Sequence, residues 1–242
     1  MALTDKPSLD LTEHADKAAM AEALAQPVAD RLAAAIADRG EAVLAVSGGS
    51  TPEGLYRRLS GVAIDWSKVT VVLVDERWVE LGEAGSNETF LQSTLMTGPA
   101  AQARLVGLKA PGETPLDGLP DLHTRLAGLR FPPDVLILGM GEDGHTASWF
   151  PRADGLDEAL AETGSPIAAI RAKQTTVTGV HTDRITLTRS ALAGAGLSLL
   201  LIAGDGKKRA LDAALEAGSV ADMPIRALLR SPDDRPEIHW TR

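Results

Sequence analysis

Short apolar runs alternate along this chain with longer stretches in which apolar residues recur at helical spacing. Four of the runs are continuous and bounded by turn residues, as is typical of buried parallel strands. They cover residues 41–46, 69–74, 134–138 and 197–202. Further strands are predicted at residues 8–15, 104–109, 167–172, 184–188 and 238–240. The alternation predicts an α/β fold: an open, mostly parallel sheet with helices on both faces, Rossmann-like, in a single domain over residues 1–242.

The helices are predicted from apolar spacing and from capping residues. Helical patterns cover residues 16–39, 88–96 and 121–129, a further helix runs to about residue 217, and another begins near residues 50–51. Gly40 suits the end of the first helix, and Pro52 suits the first turn of the second. Pro27 is expected to kink the first helix or to divide it in two. Residues 111–120 are predicted to form a loop.

Polar residues follow each of the four continuous apolar runs. The polar segments are Ser47–Thr51, Asp75–Trp78, Glu142–His145 and Gly204–Lys208. The carboxyl ends of parallel strands meet at one edge of a sheet, where open α/β sheets bind their ligands. We therefore expect these four segments to lie together and to form the functional site.

A glycine-rich segment follows the third of these runs, at residues 139–151. Gly139, Gly141 and Gly144 match the G-x-G-x-x-G pattern of dinucleotide-binding proteins. That pattern requires a long helix directly after it, and Pro151 prevents one. The segment is therefore not favoured as a dinucleotide site, although its glycines allow the backbone to approach a ligand closely.

His145 is the candidate acid or base of this segment, because an unperturbed imidazole titrates near cellular pH, at about 6.5. Asp143 is placed to orient the ring and to stabilise an imidazolium ion. Glu142 offers a second carboxylate, and the division of roles between Glu142 and Asp143 stays open. The alternative is a histidine that only donates to a backbone carbonyl in a turn. The other histidines show no metal-ligand spacing, so no metal site is predicted.

The first polar segment suits a phosphate group. It supplies two glycines and three hydroxyl groups, from Ser47, Gly48, Gly49, Ser50 and Thr51. A tight glycine turn before a helix directs N–H groups towards an anion, and an ordinary helix cap is the alternative. Arg184 and Lys207 are candidates for the cationic charge of this site. Their alternatives are a solvated surface residue and a charged helix face.

Asp75, Glu76 and Arg77 follow the strand at residues 69–74 directly. They form either a local ion pair or, at the end of a strand, a group that positions a polar substrate. Trp78 and Trp149 are equally suited to the core, to a pocket wall or to stacking on a sugar.

Composition narrows the class of protein. The net charge of −9 repels nucleic acid and anionic membranes, and an aromatic content of 3% leaves little for base stacking. The absence of cysteine excludes disulfides and thiolate chemistry. No run approaches the roughly 18 apolar residues of a membrane span, and the N-terminus has no apolar signal core. A cytoplasmic protein without nucleic-acid or membrane partners is expected.

Several stretches together resemble the 6-phosphogluconolactonases of the pentose phosphate pathway. They are residues 47–52, 75–79, 139–148, 184–188 and the turn at 204–207. The wider superfamily includes glucosamine-6-phosphate deaminases, which share the fold and the phosphate turn. Deaminases have Leu-Asp-Glu-Tyr after the third strand, where this chain has Val-Asp-Glu-Arg-Trp at residues 74–78.

The resemblance implies hydrolysis of 6-phospho-D-glucono-1,5-lactone, a small phosphorylated sugar lactone, without a metal or organic cofactor. It implies that His145 is the general base, that Asp143 holds its ring, and that Arg77 binds the substrate and stabilises the oxyanion. It also implies that the 47–51 turn, Arg184 and Lys207 hold the phosphate.

Two alternatives to the lactonase hypothesis stay open. One is a sugar-phosphate isomerase or deaminase of the same fold, which would use a carboxylate such as Asp75 to move a proton at C2. The other is a sugar-phosphate-binding module without catalysis. Either a monomer or a homodimer fits the sequence.

Overall fold

The computed structural model describes residues 11–242, which form ten strands and eight α-helices. The strands are β1 (Leu11–His14), β2 (Ala42–Val46), β3 (Val69–Leu73), β4 (Asp75–Arg77), β5 (Arg104–Val106), β6 (Val135–Gly139), β7 (Ile167–Arg171), β8 (Asp183–Leu187), β9 (Leu197–Ala203) and β10 (Glu237–Thr241). The helices are α1 (Lys17–Arg39), α2 (Glu53–Leu59), α3 (Asn87–Thr94), α4 (Pro115–Leu126), α5 (Leu156–Leu160), α6 (Arg189–Leu192), α7 (Asp205–Leu215) and α8 (Arg226–Leu229). Residues 8–10 of the predicted first strand lie outside the described residues.

The main sheet has seven strands in the order β1-β10-β9-β6-β2-β3-β5, and every neighbouring pair in it is parallel. All five residues of β2 are buried, as expected for a strand covered on both faces. The apolar residues of the strands and helices pack into one hydrophobic cluster. The predicted fold class, an open α/β sheet with parallel strands, is confirmed.

A second, three-stranded antiparallel sheet has the order β4-β8-β7, and the sequence pattern did not predict it as a separate sheet. Val74 joins the two sheets. Its N–H donates to the carbonyl of Val46 at 2.9 Å, and its carbonyl accepts from the N–H of Leu187 at 2.7 Å. The chain therefore passes from the main sheet into β4 at the point where the predicted polar segment begins.

The first helix keeps its predicted ends. The Asp16 side chain accepts from the N–H of Ala19 at 2.7 Å, and Gly40 ends the helix in a left-handed conformation with φ 82°. The helix continues through Pro27, so the prediction that Pro27 divides it is wrong.

Two other predicted boundaries need correction. Helix α4 begins at Pro115, so much of the predicted loop at 111–120 is helical. The reason is a capping box, in which Thr114 and Asp117 satisfy each other's backbone N–H groups, with a proline in the first turn. Helix α2 begins at Glu53, after the 47–51 turn and not within it.

The order of strands brings the four polar segments to one edge. Strands β3, β2, β6 and β9 are neighbours in that order and run in the same direction, so their carboxyl ends lie side by side. Within residues 11–242, no helix is long and apolar enough to cross a membrane.

A buried histidine, His239, paired with the half-buried His14, makes the stability of the fold depend on pH. The ring of His239 is 3.0 Å from that of His14, across the β1–β10 pair, and His239 is only 7% exposed. Burial and then the charge of His14 lower the pKa of His239 to about 4, from 6.5. Between these values the unfolded chain binds the proton and the folded chain does not.

We therefore expect the free energy of unfolding to be fully maintained above about pH 6.5 and to fall as the pH drops towards 4, by about 3 kcal/mol at most. Urea unfolding at several pH values measures this loss. His239→Gln should lose less over the same interval, and His123→Gln, at an exposed histidine of α4, should follow the wild type. An equal acid loss in all three proteins would contradict the assignment.

Candidate active site

A cavity of about 330 Å³ opens at the carboxyl edge of the main sheet. Eight of the predicted site residues line it: Ser47, Gly48, Gly49, Asp75, Arg77, His145, Arg184 and Lys207. Ser50 and Thr51 are not part of its wall, and neither is Asp143, which lies behind His145. Glu142 is exposed to solvent and also contributes to the wall.

His145 and Asp143 form a close pair on the glycine-rich segment after β6. The ring Nδ1 of His145 is 2.6 Å from Oδ1 of Asp143, and the backbone N–H of His145 donates to the same oxygen at 3.1 Å. Because a carboxylate only accepts hydrogen bonds, Nδ1 is the protonated nitrogen of the neutral ring. Nε2 then carries the lone pair, and no residue of the described chain hydrogen-bonds to it. This is the arrangement of a general base with an orienting carboxylate.

The pKa of Asp143 reflects this pairing. Burial on its own would raise the pKa, but the hydrogen bonds and the charge interaction with His145 outweigh it and hold the pKa below its ordinary value. Asp143 is therefore an anion at neutral pH. It can stabilise the imidazolium ion that forms when His145 takes a proton.

Close packing holds the His145 ring in place. A Cβ atom on Gly141 would lie 2.2 Å from the ring and 2.6 Å from Asp143 Oδ1, so a larger residue there would displace the pair. On the other side the ring packs on Phe150, with ring centroids 4.3 Å apart and planes tilted by 32°. The glycine that first resembled a dinucleotide motif thus makes room for an imidazole.

Two arginines from neighbouring strands also line the cavity. Arg77 of β4 and Arg184 of β8 are direct partners in the antiparallel ladder, an arrangement that repels like charges. Asp75 lies on the same strand as Arg77, and its carboxylate accepts a hydrogen bond from the buried Ser148 hydroxyl at 2.6 Å. A pair of cations beside one carboxylate suits an anionic ligand that supplies the missing negative charge.

Arg184 is buried, with 4% of its surface exposed. Burial lowers its pKa to about 10, with the repulsion by Arg77 acting in the same direction and the attraction of Asp75 against it. The side chain stays charged at neutral pH. It donates to the carbonyls of Thr178 and His181, at 3.0 and 2.7 Å, and so fixes the loop that closes one side of the cavity. Arg184 is thus not the solvated surface residue that a lone arginine suggests.

The turn after β2 presents unused donors. The backbone N–H groups of residues 48–51 bond to no acceptor in the described part of the chain. The Ser47 hydroxyl is buried and lacks a hydrogen-bond partner, and the Ser47 carbonyl is held by the Tyr56 hydroxyl at 2.7 Å. The buried Ser47 hydroxyl is costly without a partner, whereas residues 48–51 are half-buried or exposed and their N–H groups can bond to water. A phosphate oxygen could accept hydrogen bonds from both. Lys207 of α7, at the same edge, supplies a further cation, whose pKa is lowered by burial and by Lys17.

Sequence reasoning missed several residues of the site. Asn87 and Phe150 line the cavity, and neither was among the predicted site residues. Glu76, which the sequence singled out beside Arg77, is buried and does not line the cavity. Asn87 sits at the start of α3, which follows no apolar strand, so the pattern of strand ends did not indicate it. The acidic and serine residues near Asn87 predict a helix start and no ligand.

A larger cavity of about 610 Å³ lies elsewhere, between α4 and β7. It contains none of the four polar segments that follow the parallel strands. Among residues 11–242 there is also no group of three or more histidine, aspartate or glutamate side chains placed to hold a metal ion. Residues of all four polar segments line the smaller cavity instead.

The chain is similar to known proteins over most of its length. A family profile described as glucosamine-6-phosphate isomerases/6-phosphogluconolactonase matches residues 15–240. A 6-phosphogluconolactonase from Rhizobium meliloti is 47% identical over 223 residues, which cover 92% of this chain and 94% of that protein. Another, from Pseudomonas aeruginosa, is 42% identical and covers 92% and 91% of the two chains.

The fold is also similar to that of a solved 6-phosphogluconolactonase structure. The crystal structure of a 6-phosphogluconolactonase from Shewanella baltica matches with a TM-score of 0.91 and 37% identity, covering 98% of this chain and 99% of that one. The resemblance found in the motifs is thereby confirmed over nearly the whole chain. The chain belongs to the glucosamine-6-phosphate isomerase/6-phosphogluconolactonase family.

Proposed function

We propose that this protein hydrolyses 6-phospho-D-glucono-1,5-lactone to 6-phospho-D-gluconate, the second step of the oxidative pentose phosphate pathway. The observation that carries the proposal is the His145–Asp143 pair, whose free Nε2 shares a cavity with two arginines and an unfilled anion turn. The names of the similar proteins from Rhizobium meliloti, Pseudomonas aeruginosa and Shewanella baltica support it.

In this mechanism His145 Nε2 takes a proton from a water molecule as the water oxygen attacks C1 of the lactone. The bond between C1 and the ring oxygen then breaks, and the imidazolium ion returns its proton to that oxygen. Asp143 holds the ring in the required tautomer and stabilises its charged form. General-base assistance of this kind contributes about 10²–10⁴-fold to the rate.

Arg77 is suited to stabilise the negative charge that develops on the carbonyl oxygen. Its Nη1 donates to the carbonyl of Gly85, which holds the side chain, while its buried Nε has no partner among the described residues. A preorganised cation loses little free energy to reorganisation when the charge appears.

The phosphate group is assigned to the turn at residues 47–51, Arg184 and Lys207. The free N–H groups and the two cations would anchor the far end of the substrate and so orient the lactone carbonyl. Ser50 and Thr51 would contribute through their backbone N–H groups, since their side chains do not line the cavity.

A covalent intermediate is not needed for this reaction, because a δ-lactone is already an activated ester. The hydroxyl groups nearest to the base in sequence are those of Thr146 and Ser148, and both residues are buried. Thr146 donates a hydrogen bond to the carbonyl of Gly139 at 2.8 Å, and Ser148 donates one to Asp75, so neither is placed to act as a nucleophile. Water is therefore the attacking group.

A second candidate is the isomerase or deaminase reaction of the same family, and the position of the Asp75 carboxylate in the cavity wall favours it. The proposal for the protein as a whole is a single cytoplasmic domain that needs no metal or organic cofactor and acts as a monomer or a homodimer.

The proposed function is tested by measuring the hydrolysis of freshly made 6-phosphogluconolactone. The 6-phosphogluconate that forms is followed with 6-phosphogluconate dehydrogenase as the coupling enzyme. The wild type should accelerate ring opening over buffer, and His145→Ala should lose about 10²–10⁴-fold of that acceleration. His123→Ala, at an exposed histidine of α4, is the matched control and should retain it. No acceleration by the wild type would refute the proposal, and turnover of glucosamine 6-phosphate would then favour the second candidate.

The phosphate assignment predicts a difference between two substrates. Arg184→Ala should raise KM for the phosphorylated lactone by about 10–100-fold, because a charge-assisted contact to the phosphate is lost. Activity on unphosphorylated gluconolactone should change far less.

Because Arg184 also fixes the loop at residues 178–181, Lys207→Ala serves as a second variant. Lys207 makes no hydrogen bond within the described residues, so its removal leaves that loop intact. Equal losses on both lactones in both variants would place these residues outside the phosphate site.

A further inference from the structure

Asn87 is the first residue of α3, and its side chain lies in the wall of the active-site cavity. The residue is 4% exposed. None of the roles assigned so far, the base, the oxyanion site or the phosphate turn, involves it. A buried amide at such a place has to be explained by its hydrogen bonds.

The orientation of the amide group is fixed by one bond. Nδ2 donates to the backbone carbonyl of Asp75 at 2.9 Å, so the amide oxygen Oδ1 points the other way. Oδ1 lies over the anion turn, where a Cβ atom on Gly48 would come within 2.1 Å of it. Within residues 11–242 no group donates a hydrogen bond to Oδ1. It is therefore an acceptor held in place beside the cavity, with its bonding capacity unused.

The backbone of Asn87 is held as firmly as its side chain. Glu76, which is 1% exposed, accepts the N–H groups of Asn87, Glu88 and Arg77, each at 2.8 Å. Burial raises the pKa of Glu76, and these three hydrogen bonds act in the opposite direction. One buried carboxylate thus fixes Asn87 and the oxyanion arginine relative to each other.

The chemistry of Oδ1 restricts what can bind to it. A carbonyl oxygen accepts hydrogen bonds and cannot donate them, so it repels the oxygens of a phosphate dianion. Its partner must be a donor. On a sugar lactone the donors are the ring hydroxyl groups.

We propose that Asn87 determines substrate specificity by accepting a hydrogen bond from one ring hydroxyl of the sugar through Oδ1. The identity of the sugar rests on the proposed lactonase function. A fixed acceptor rejects an analogue that lacks the hydroxyl, because the acceptor is then left unpaired in a buried place. Gly48 is required at its position because any side chain there would push the amide aside.

The proposal is tested by pairing Asn87→Ala with substrates that lack single hydroxyls: the 2-deoxy, 3-deoxy and 4-deoxy forms of 6-phosphogluconolactone. In the wild type, loss of one particular hydroxyl should reduce kcat/KM by about tenfold. Asn87→Ala should show a similar loss on the complete lactone and no further loss on that one deoxy substrate. With the other two deoxy substrates, Asn87→Ala should reduce kcat/KM by as much as it does with the complete lactone.

Ser86→Ala is the matched control. The Ser86 hydroxyl caps the same helix by accepting the N–H of Thr89 at 3.1 Å, and Ser86 does not line the cavity. A purely structural disturbance of α3 should reduce activity by the same factor on all four lactones. If Asn87→Ala behaves in that way, the proposal is wrong. Asn87→Ser, a less severe truncation, replaces Asn87→Ala if the alanine variant does not fold.

Calorimetric binding of 6-phosphogluconate and its deoxy analogues separates this proposal from the proposed function. If the wild type does not hydrolyse the lactone but Asn87→Ala still cancels the effect of one hydroxyl on Kd, the lactonase function fails and the role of Asn87 stands. If the wild type hydrolyses the lactone but the missing hydroxyl changes Kd equally in the wild type and in Asn87→Ala, the role of Asn87 is wrong and the lactonase function stands. A wild type that neither hydrolyses the lactone nor binds any of these sugar acids would overturn both.

Discussion

The parallel pairing of β3, β2, β6 and β9 is the constraint on which the site depends. Backbone hydrogen bonds between these strands fix their direction and register, so the segment that follows each strand emerges at the same edge. The proposed anion turn, oxyanion arginine and base, together with the lysine of α7, are far apart in the sequence. They come together because the order and direction of the strands place them at one edge of the sheet.

The second sheet adds what the parallel sheet alone does not provide. By pairing β4 with β8 it sets Arg77 directly opposite Arg184, and Arg184 is buried while Arg77 is half-buried. Two like charges at this distance raise the free energy of the empty site. A phosphorylated substrate, as proposed, would lower it, so part of the cost of ordering the site would be recovered when the ligand binds.

The fold class and the pairing of Asp143 with His145 could be predicted from the sequence, because both depend on local patterns; the catalytic role of the pair stays a prediction. Buried parallel strands are continuous apolar runs, and Asp143 and His145 are close neighbours in a glycine-rich loop. Asn87 and the antiparallel sheet depend instead on long-range pairing, which leaves no periodic signal. The early start of α4 was missed because Pro115 was read as a loop residue, although it stands after a capping threonine where proline is well tolerated.

The central claim is that Asp143 fixes one tautomer of His145 and leaves Nε2 free as the base. Nitrogen-15 NMR of the imidazole at a pH where the ring is neutral tests this directly. We predict a protonated Nδ1 and an unprotonated Nε2 in the wild type. The Asp143→Asn variant should lose that preference, because its amide can also donate to the ring. A neutral wild-type ring protonated at Nε2 would contradict the account, since no lone pair would then face the cavity.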